Sequence, residues 1–326
     1  MPVKNPILIP GKYSRWLIYS SVLVLALITL SNKSFSLSSD NGFDLTEPLV
    51  PRDEIFHGGP PRDGIASIDN PKFVHAVSAT FLKKDDRILG LIFNGVTRAY
   101  PIKILNYHEI VNDKIKAQSI VISYCPLCGS GMAFNPKQSN GDDRFGVSGL
   151  LYNNDMLLYD RATESLWSQI ISTAISGKLK GQKLNNIPLI NTSWFQWLQQ
   201  HPDSEVLSTQ TGYSRNYNNH PYGDYDTNRA IYFPIQNNTA RFHPKQRVIG
   251  ITLGADVKAY PLSELDKQAK AHFTDQFAGQ TLTIDYDAKN QSVTISNHNG
   301  INLPVTNLFW FAWYAFHPNT RVFMAK

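Results

Sequence analysis

The chain has 326 residues, of which 42% are hydrophobic, enough to bury one large or two small cores. Its formal charge is +5, but Lys4, Lys12, Arg15 and Lys33 supply four of those charges before any acidic residue, so the remainder carries +1. A nearly neutral body removes the electrostatic case for binding nucleic acid. The sequence also lacks a nucleotide-binding glycine loop, a His-Glu-x-x-His helix and a Gly-x-Ser-x-Gly elbow, which argues against phosphoryl transfer, zincin proteolysis and α/β-hydrolase chemistry.

In chain order, the basic residues near the start precede an uncharged apolar run at 16–30 and then small residues around Ser34-Phe35-Ser36. That order describes an export signal, with residues 1–36 either a cleaved signal peptide or an N-terminal membrane anchor. The run is shorter than the roughly 20 residues of a comfortable span. The expected location is therefore the periplasm or cell envelope, with inner-membrane association through residues 16–30.

Next comes a hairpin, Arg87-Ile88-Leu89-Gly90-Leu91-Ile92-Phe93, turn Asn94-Gly95, then Arg98-Ala99-Tyr100-Pro101. Asn-Gly between alternating apolar runs is the strongest short hairpin signal. A helix is expected over 102–111, then a strand through Ser119-Ile120-Val121-Ile122 that ends in the only two cysteines, Cys125 and Cys128. Residues 145–169 read as a meander with turns at Asn153-Asn154 and 160–164, and a short helix over 194–200 stops before His201-Pro202. A connecting segment, 211–240, spaces Tyr213, Tyr217, Tyr222, Tyr225 and Tyr232 among Asn, Asp, Gly and Pro, and packs across a domain face.

The hairpin text returns 160 residues later as Arg247-Val248-Ile249-Gly250-Ile251 through Ala259-Tyr260-Pro261, with a helix expected over 262–272. Trp194-Phe195-Gln196-Trp197 returns as Trp310-Phe311-Ala312-Trp313. This predicts an α+β fold, mostly antiparallel β with short helices, built as two divergent copies of one unit: a first repeat at 50–210 carrying the cysteines and a shortened second at 241–326 without them.

Two thiols three residues apart in a glycine-rich turn form a chemical site. Gly129 and Gly131 follow at once, which opposes the long helix that a thioredoxin-like motif needs. Cys-Pro-Leu-Cys-Gly instead resembles the knuckle of rubredoxin-like and zinc-ribbon metal sites, although a second cysteine pair is absent. The remaining ligands of a metal site then come from other residue types: His108 first, Met132 for a soft ion, and Glu109 or Asp155 as oxygen ligands or supports, with zinc, copper or iron as the ion. A structural or redox disulfide, a nucleophilic thiol and inert buried thiols are the competing readings. Asp155, Asp160 and Glu164 form a second cluster, with Arg161 paired to one of them; they serve either a hydrolase or simple turn hydrogen bonds.

Gly58-Gly59-Pro60-Pro61-Arg62-Asp63-Gly64-Ile65, Arg98-Ala99-Tyr100-Pro101, His108-Glu109-Ile110-Val111-Asn112-Asp113, Tyr124-Cys125-Pro126-Leu127-Cys128-Gly129, and the run from Gly146-Val147-Ser148-Gly149 through Tyr159-Asp160-Arg161 to Leu166-Trp167-Ser168-Gln169 occur in fixed order. Over roughly residues 55 to 235 they resemble the uncharacterised bacterial and archaeal family called domain of unknown function 3179. The resemblance brings no established activity. It implies that His108, Glu109, Cys125, Cys128, Asp160 and Arg161 belong to one recurrent motif set and share one site, and no family motif includes Met132. The expected function is an exported, membrane-associated protein with a thiol site that binds a metal or cycles a disulfide. The alternative is a structural or ligand-binding envelope module whose cysteines only pin a turn.

Overall fold

A computed structural model describes residues 40–136 and 142–325. The expected signal or anchor at 1–36 lies outside the described residues, and no described helix is long and apolar enough to cross a membrane. In chain order the strands are β1 (Ile55–His57), β2 (Phe73–His75), β3 (Arg87–Phe93), β4 (Val96–Pro101), β5 (Ile110–Ile115), β6 (Gln118–Cys125), β7 (Ser130–Asn135), β8 (Phe145–Tyr152), β9 (Asp155–Asp160), β10 (Leu166–Ser168) and β11 (Thr173–Ser176). They continue with β12 (Asn185–Ile187), β13 (Ile190–Ser193), β14 (Glu205–Leu207), β15 (Arg247–Leu253), β16 (Asp256–Pro261), β17 (His272–Phe277), β18 (Gln280–Asp287), β19 (Ser292–Ser296), β20 (Thr306–Phe309) and β21 (Arg321–Val322). Among the described residues, four short α-helices interrupt them: α1 (Ile102–His108), α2 (Trp194–Gln200), α3 (Leu262–Leu265) and α4 (Trp310–Phe316).

The strands form five sheets, ordered β1-β8-β9-β10-β11, β12-β7-β6-β5, β13-β3-β4-β14-β2, β20-β15-β16-β21 and β17-β18-β19. This corrects the expected fold class. The protein is mostly β with about 11% helix, and the five small sheets stand in a ring like the blades of a propeller, not as two divergent copies of an α+β unit. The parallel text marks two hairpins of matching register, Ile88↔Pro101 and Val248↔Pro261, each at the centre of one of the five sheets. One core cluster ignores the expected division, running from Ile110, Cys125, Phe145 and Trp167 to Val248, Phe309 and Trp313.

Local chemistry accounts for the elements. Asn94 and Gly95 both take positive φ, as do Asn153 and Asn154, giving the tight turns that β3–β4 and β8–β9 need. Helix α1 stops at His108, short of the expected Val111, because Glu109 turns to φ 58 and starts β5. Helix α3 is four residues long instead of eleven: it buries Leu262, Glu264 and Leu265, and the following Lys267, Gln268 and Lys270 offer no apolar face to extend it. The expected meander forms as β8, β9 and β10, all of whose residues are buried.

Candidate functional site

Strand β6 is buried from Ile120 onward and delivers Cys125 to its last pairing, Cys125↔Ser130 on β7. Pro126, Leu127, Cys128 and Gly129 make the turn between them, with Gly129 at φ +62. A Cβ on Gly129 would lie 2.6 Å from Arg247 Nη1, so glycine is required by both backbone and space. The turn is clamped from the far side of the chain. Arg247 Nη1 donates to Gly129 O at 2.6 Å, the Phe309 N–H donates to Cys128 O at 2.9 Å, and the Arg247 guanidinium lies 4.3 Å from the centre of the Phe309 ring. Both cysteines are free thiols and buried.

The third member of the cluster is Asp155, the first residue of β9. One ligand atom each from Cys125, Cys128 and Asp155 lie within 4.8 Å of one another, all buried. Asp155 Oδ2 accepts from the Ile170 N–H at 3.1 Å and from Ser168 Oγ at 3.4 Å, whereas its buried Oδ1 has no hydrogen-bond partner. Burial holds the Asp155 carboxyl up to about 7 and pushes the Cys128 thiol well above its ordinary value. A buried thiol and carboxyl shifted this way favour their protonated forms, and a bound cation would displace those protons.

Beside the thiols lies a mostly apolar cavity of about 300 Å³, lined by Cys125, Glu109, Tyr222, Leu151, Met156 and Phe233 among others. Glu109 is buried; burial first and the nearby Asp155 charge second raise its carboxyl to about 8, and Tyr222 OH donates to its Oε1 at 3.3 Å. The glutamate is therefore a neutral acid at pH 7, able to donate a proton or hydrogen bond into the cavity.

The tyrosine-rich segment covers this site. Asn154 is its fastening point: its Oδ1 accepts from the Phe233 N–H at 2.9 Å, its Nδ2 donates to Tyr225 OH at 3.3 Å, and its backbone carbonyl accepts from Cys128 Sγ at 3.3 Å. Lys245 adds a second tie, donating to the carbonyls of Tyr225 and Ala230 and sitting 3.1 Å from the Tyr225 ring centre.

The remaining sequence candidates stand elsewhere. His108 is buried on α1 with Nδ1 against Ala66 O at 2.8 Å and Nε2 against Tyr217 OH at 2.7 Å, and it is not among the clustered ligand atoms. Met132 is buried in the same core cluster as the cysteines. Asp160 accepts from Thr163 N, Thr163 Oγ1 and Trp167 Nε1, the turn-holding role of such a residue. Arg161 pairs with Asp69 at 2.7 Å and donates to Ser67, and Glu164 pairs with Arg62 at 2.7 Å, so the expected Arg161 pairing with a neighbouring acid is corrected. Asp155 and Asp160 sit at opposite ends of β9, about 16 Å apart along the strand and on opposite faces, too far for paired acid–base work. Sequence reasoning missed Arg247, Phe309 and Lys245, which reach the site from more than 100 residues away and carry no local signal.

A family model described as Protein of unknown function (DUF3179) matches residues 62–320, reaching well past the stretch of resemblance read from the motifs. No curated protein and no solved structure matches the chain.

Proposed function

We propose the function of this chain, which belongs to the DUF3179 family, from its site: Cys125, Cys128 and Asp155 together bind one thiophilic transition-metal ion, zinc, copper or iron. The observation that carries the reading is the convergence of three buried ligand atoms within 4.8 Å, one of them beside a carboxylate oxygen with no other partner. Two thiolates and one carboxylate suit a borderline ion and leave a coordination position open. Cys125 and Glu109 both line the apolar cavity, so a molecule held there would lie beside the thiol and near a neutral carboxylic acid able to donate a proton. Cycling of a disulfide is the weaker reading, because exchange needs an accessible thiolate and burial holds Cys128 protonated.

We further propose that the protein is exported to the cell envelope, on the strength of Lys4, Lys12 and Arg15 ahead of the apolar run at 16–30. Fractionation of cells together with N-terminal sequencing of the mature chain tests this; a cytosolic chain with an intact N-terminus overturns it.

The metal test is elemental analysis and free-thiol titration of the full chain purified without chelators. About one equivalent of metal, lost in Cys125→Ser and Asp155→Asn while both variants keep their β-rich circular dichroism, is the expected result. A folded Cys125→Ser protein that keeps stoichiometric metal sinks the proposal, as does a metal-free protein with a Cys125–Cys128 disulfide.

A further inference from the structure

A second cavity, of about 390 Å³, is lined by Tyr124 of β6 and by Pro126 of the cysteine turn. Arg87 opens β3 and Arg247 opens β15, interior strands of two different sheets, and both side chains line this cavity. Neither guanidinium meets a carboxylate among the described residues. Arg87 donates to Asn191 Oδ1 and to the backbone carbonyls of Asn290 and Gln291, and Arg247 donates to Gly129 O. Two partly buried cations in one cavity, both satisfied only by neutral acceptors, repel one another at a cost that a bound anion removes. Burial, and then the charge of Arg247, lower Arg87 to about 10. The other lining groups include the polar side chains Lys103, Asn106 and His220 beside apolar Ile102, Leu262 and Phe309. The acids at this cavity do not reach the arginines. Asp86 is committed to Lys103 at 2.8 Å, and Asp85 and Asp226 are exposed.

We infer that Arg87 and Arg247 form an anion site that takes the oxyanion group, phosphate or carboxylate, of a small molecule. The guanidinium is a planar fork of donors that matches two oxygens of such a group, and two forks on one cavity match a group with several oxygens. The volume admits a small molecule or a free inorganic ion. The site uses residues other than Cys125, Cys128 and Asp155, so it stands whether or not the metal reading does.

The test is a thermal-shift and calorimetric titration of the full chain with inorganic phosphate and, separately, malonate, against sodium chloride at equal ionic strength. A saturable rise in melting temperature with phosphate, malonate or both, beyond chloride, is expected; phosphate alone identifies a phosphoryl or inorganic phosphate ligand, and malonate alone a carboxylate. Arg247→Gln and Arg87→Gln should each weaken binding by about tenfold or more, with Arg247→Lys between them and the wild type. Should the glutamine variants not fold, the wild-type titration decides. No response beyond chloride overturns the inference, and so does a response of equal strength in folded Arg247→Gln.

Discussion

At Glu109 and Asp155 the folded chain holds protons that the unfolded chain releases. Burial raises the two carboxyls to about 8 and about 7, whereas free carboxyls titrate near 4. The folded state thus binds more protons than the unfolded state from about pH 4 up to about pH 8, and stability falls as pH rises through that window. His108 and His317 act in the opposite sense below about pH 6.5, since burial holds both rings neutral and the unfolded rings would charge first. Between about pH 6.5 and 8 the carboxyls dominate, opposed only at the upper end by Lys245, which burial lowers to about 8. Thermal melts of the metal-free protein should show a falling melting temperature across that interval, and Glu109→Gln should flatten its upper part. Adding zinc should reverse the slope, because a metal-ligating Asp155 and its thiols must lose their protons. A melting temperature that stays level from pH 6.5 to 8 in the metal-free protein contradicts the burial argument. Cys125 and Cys128 are singled out by their spacing alone, and Asp155 only as one of several candidate oxygen ligands; that Glu109 is neutral is not legible, because it follows from burial.

Among the elements, hairpins and turns follow from residues next to one another, and these are the parts a reader of the sequence recovers. Gly90 and Gly250 show what lies beyond that reach. Each sits mid-strand where a side chain would be ordinary, yet a Cβ at Gly90 would lie 2.0 Å from the Trp197 ring and one at Gly250 would lie 2.2 Å from the Trp313 ring. Helices α2 and α4 thus seat their tryptophans directly on the strand backbones. Because the ring is buried and packed on all sides, it cannot move aside. Gly90→Ala should destabilise the protein by about 1–3 kcal/mol or more, measured by urea denaturation, and Gly250→Ala similarly. A substitution within about 0.5 kcal/mol of wild type would mean that the tryptophan has room to shift. Helix ends were the least legible elements: α1 and α3 both end early, where a positive φ at Glu109 or the loss of an apolar face stops them.

For the molecule as a whole, the continuity of the core decides what can fold alone. The cluster around the cysteines takes in Val248, Leu308, Phe309, Trp310 and Trp313, and the cysteine turn is bonded to Arg247 and Phe309. A chain ending at residue 240 would expose all those contacts and leave two turn carbonyls without their donors. It is expected to lack cooperative unfolding by circular dichroism and to expose both thiols to rapid labelling; a cooperative fragment with protected thiols would contradict this. By itself the sequence determined the hairpins, the meander and the family, because turn residues, strand alternation and motif order act over a few neighbouring positions. Only the tertiary structure decided that the described strands form five sheets, that Asp155 stands beside the thiols while His108 faces Tyr217, and that Tyr222, Tyr225, Phe233, Arg247 and Phe309 gather around the cysteine turn. Those contacts join positions tens to hundreds of residues apart, and packing in three dimensions, which no local pattern encodes, is what selects them.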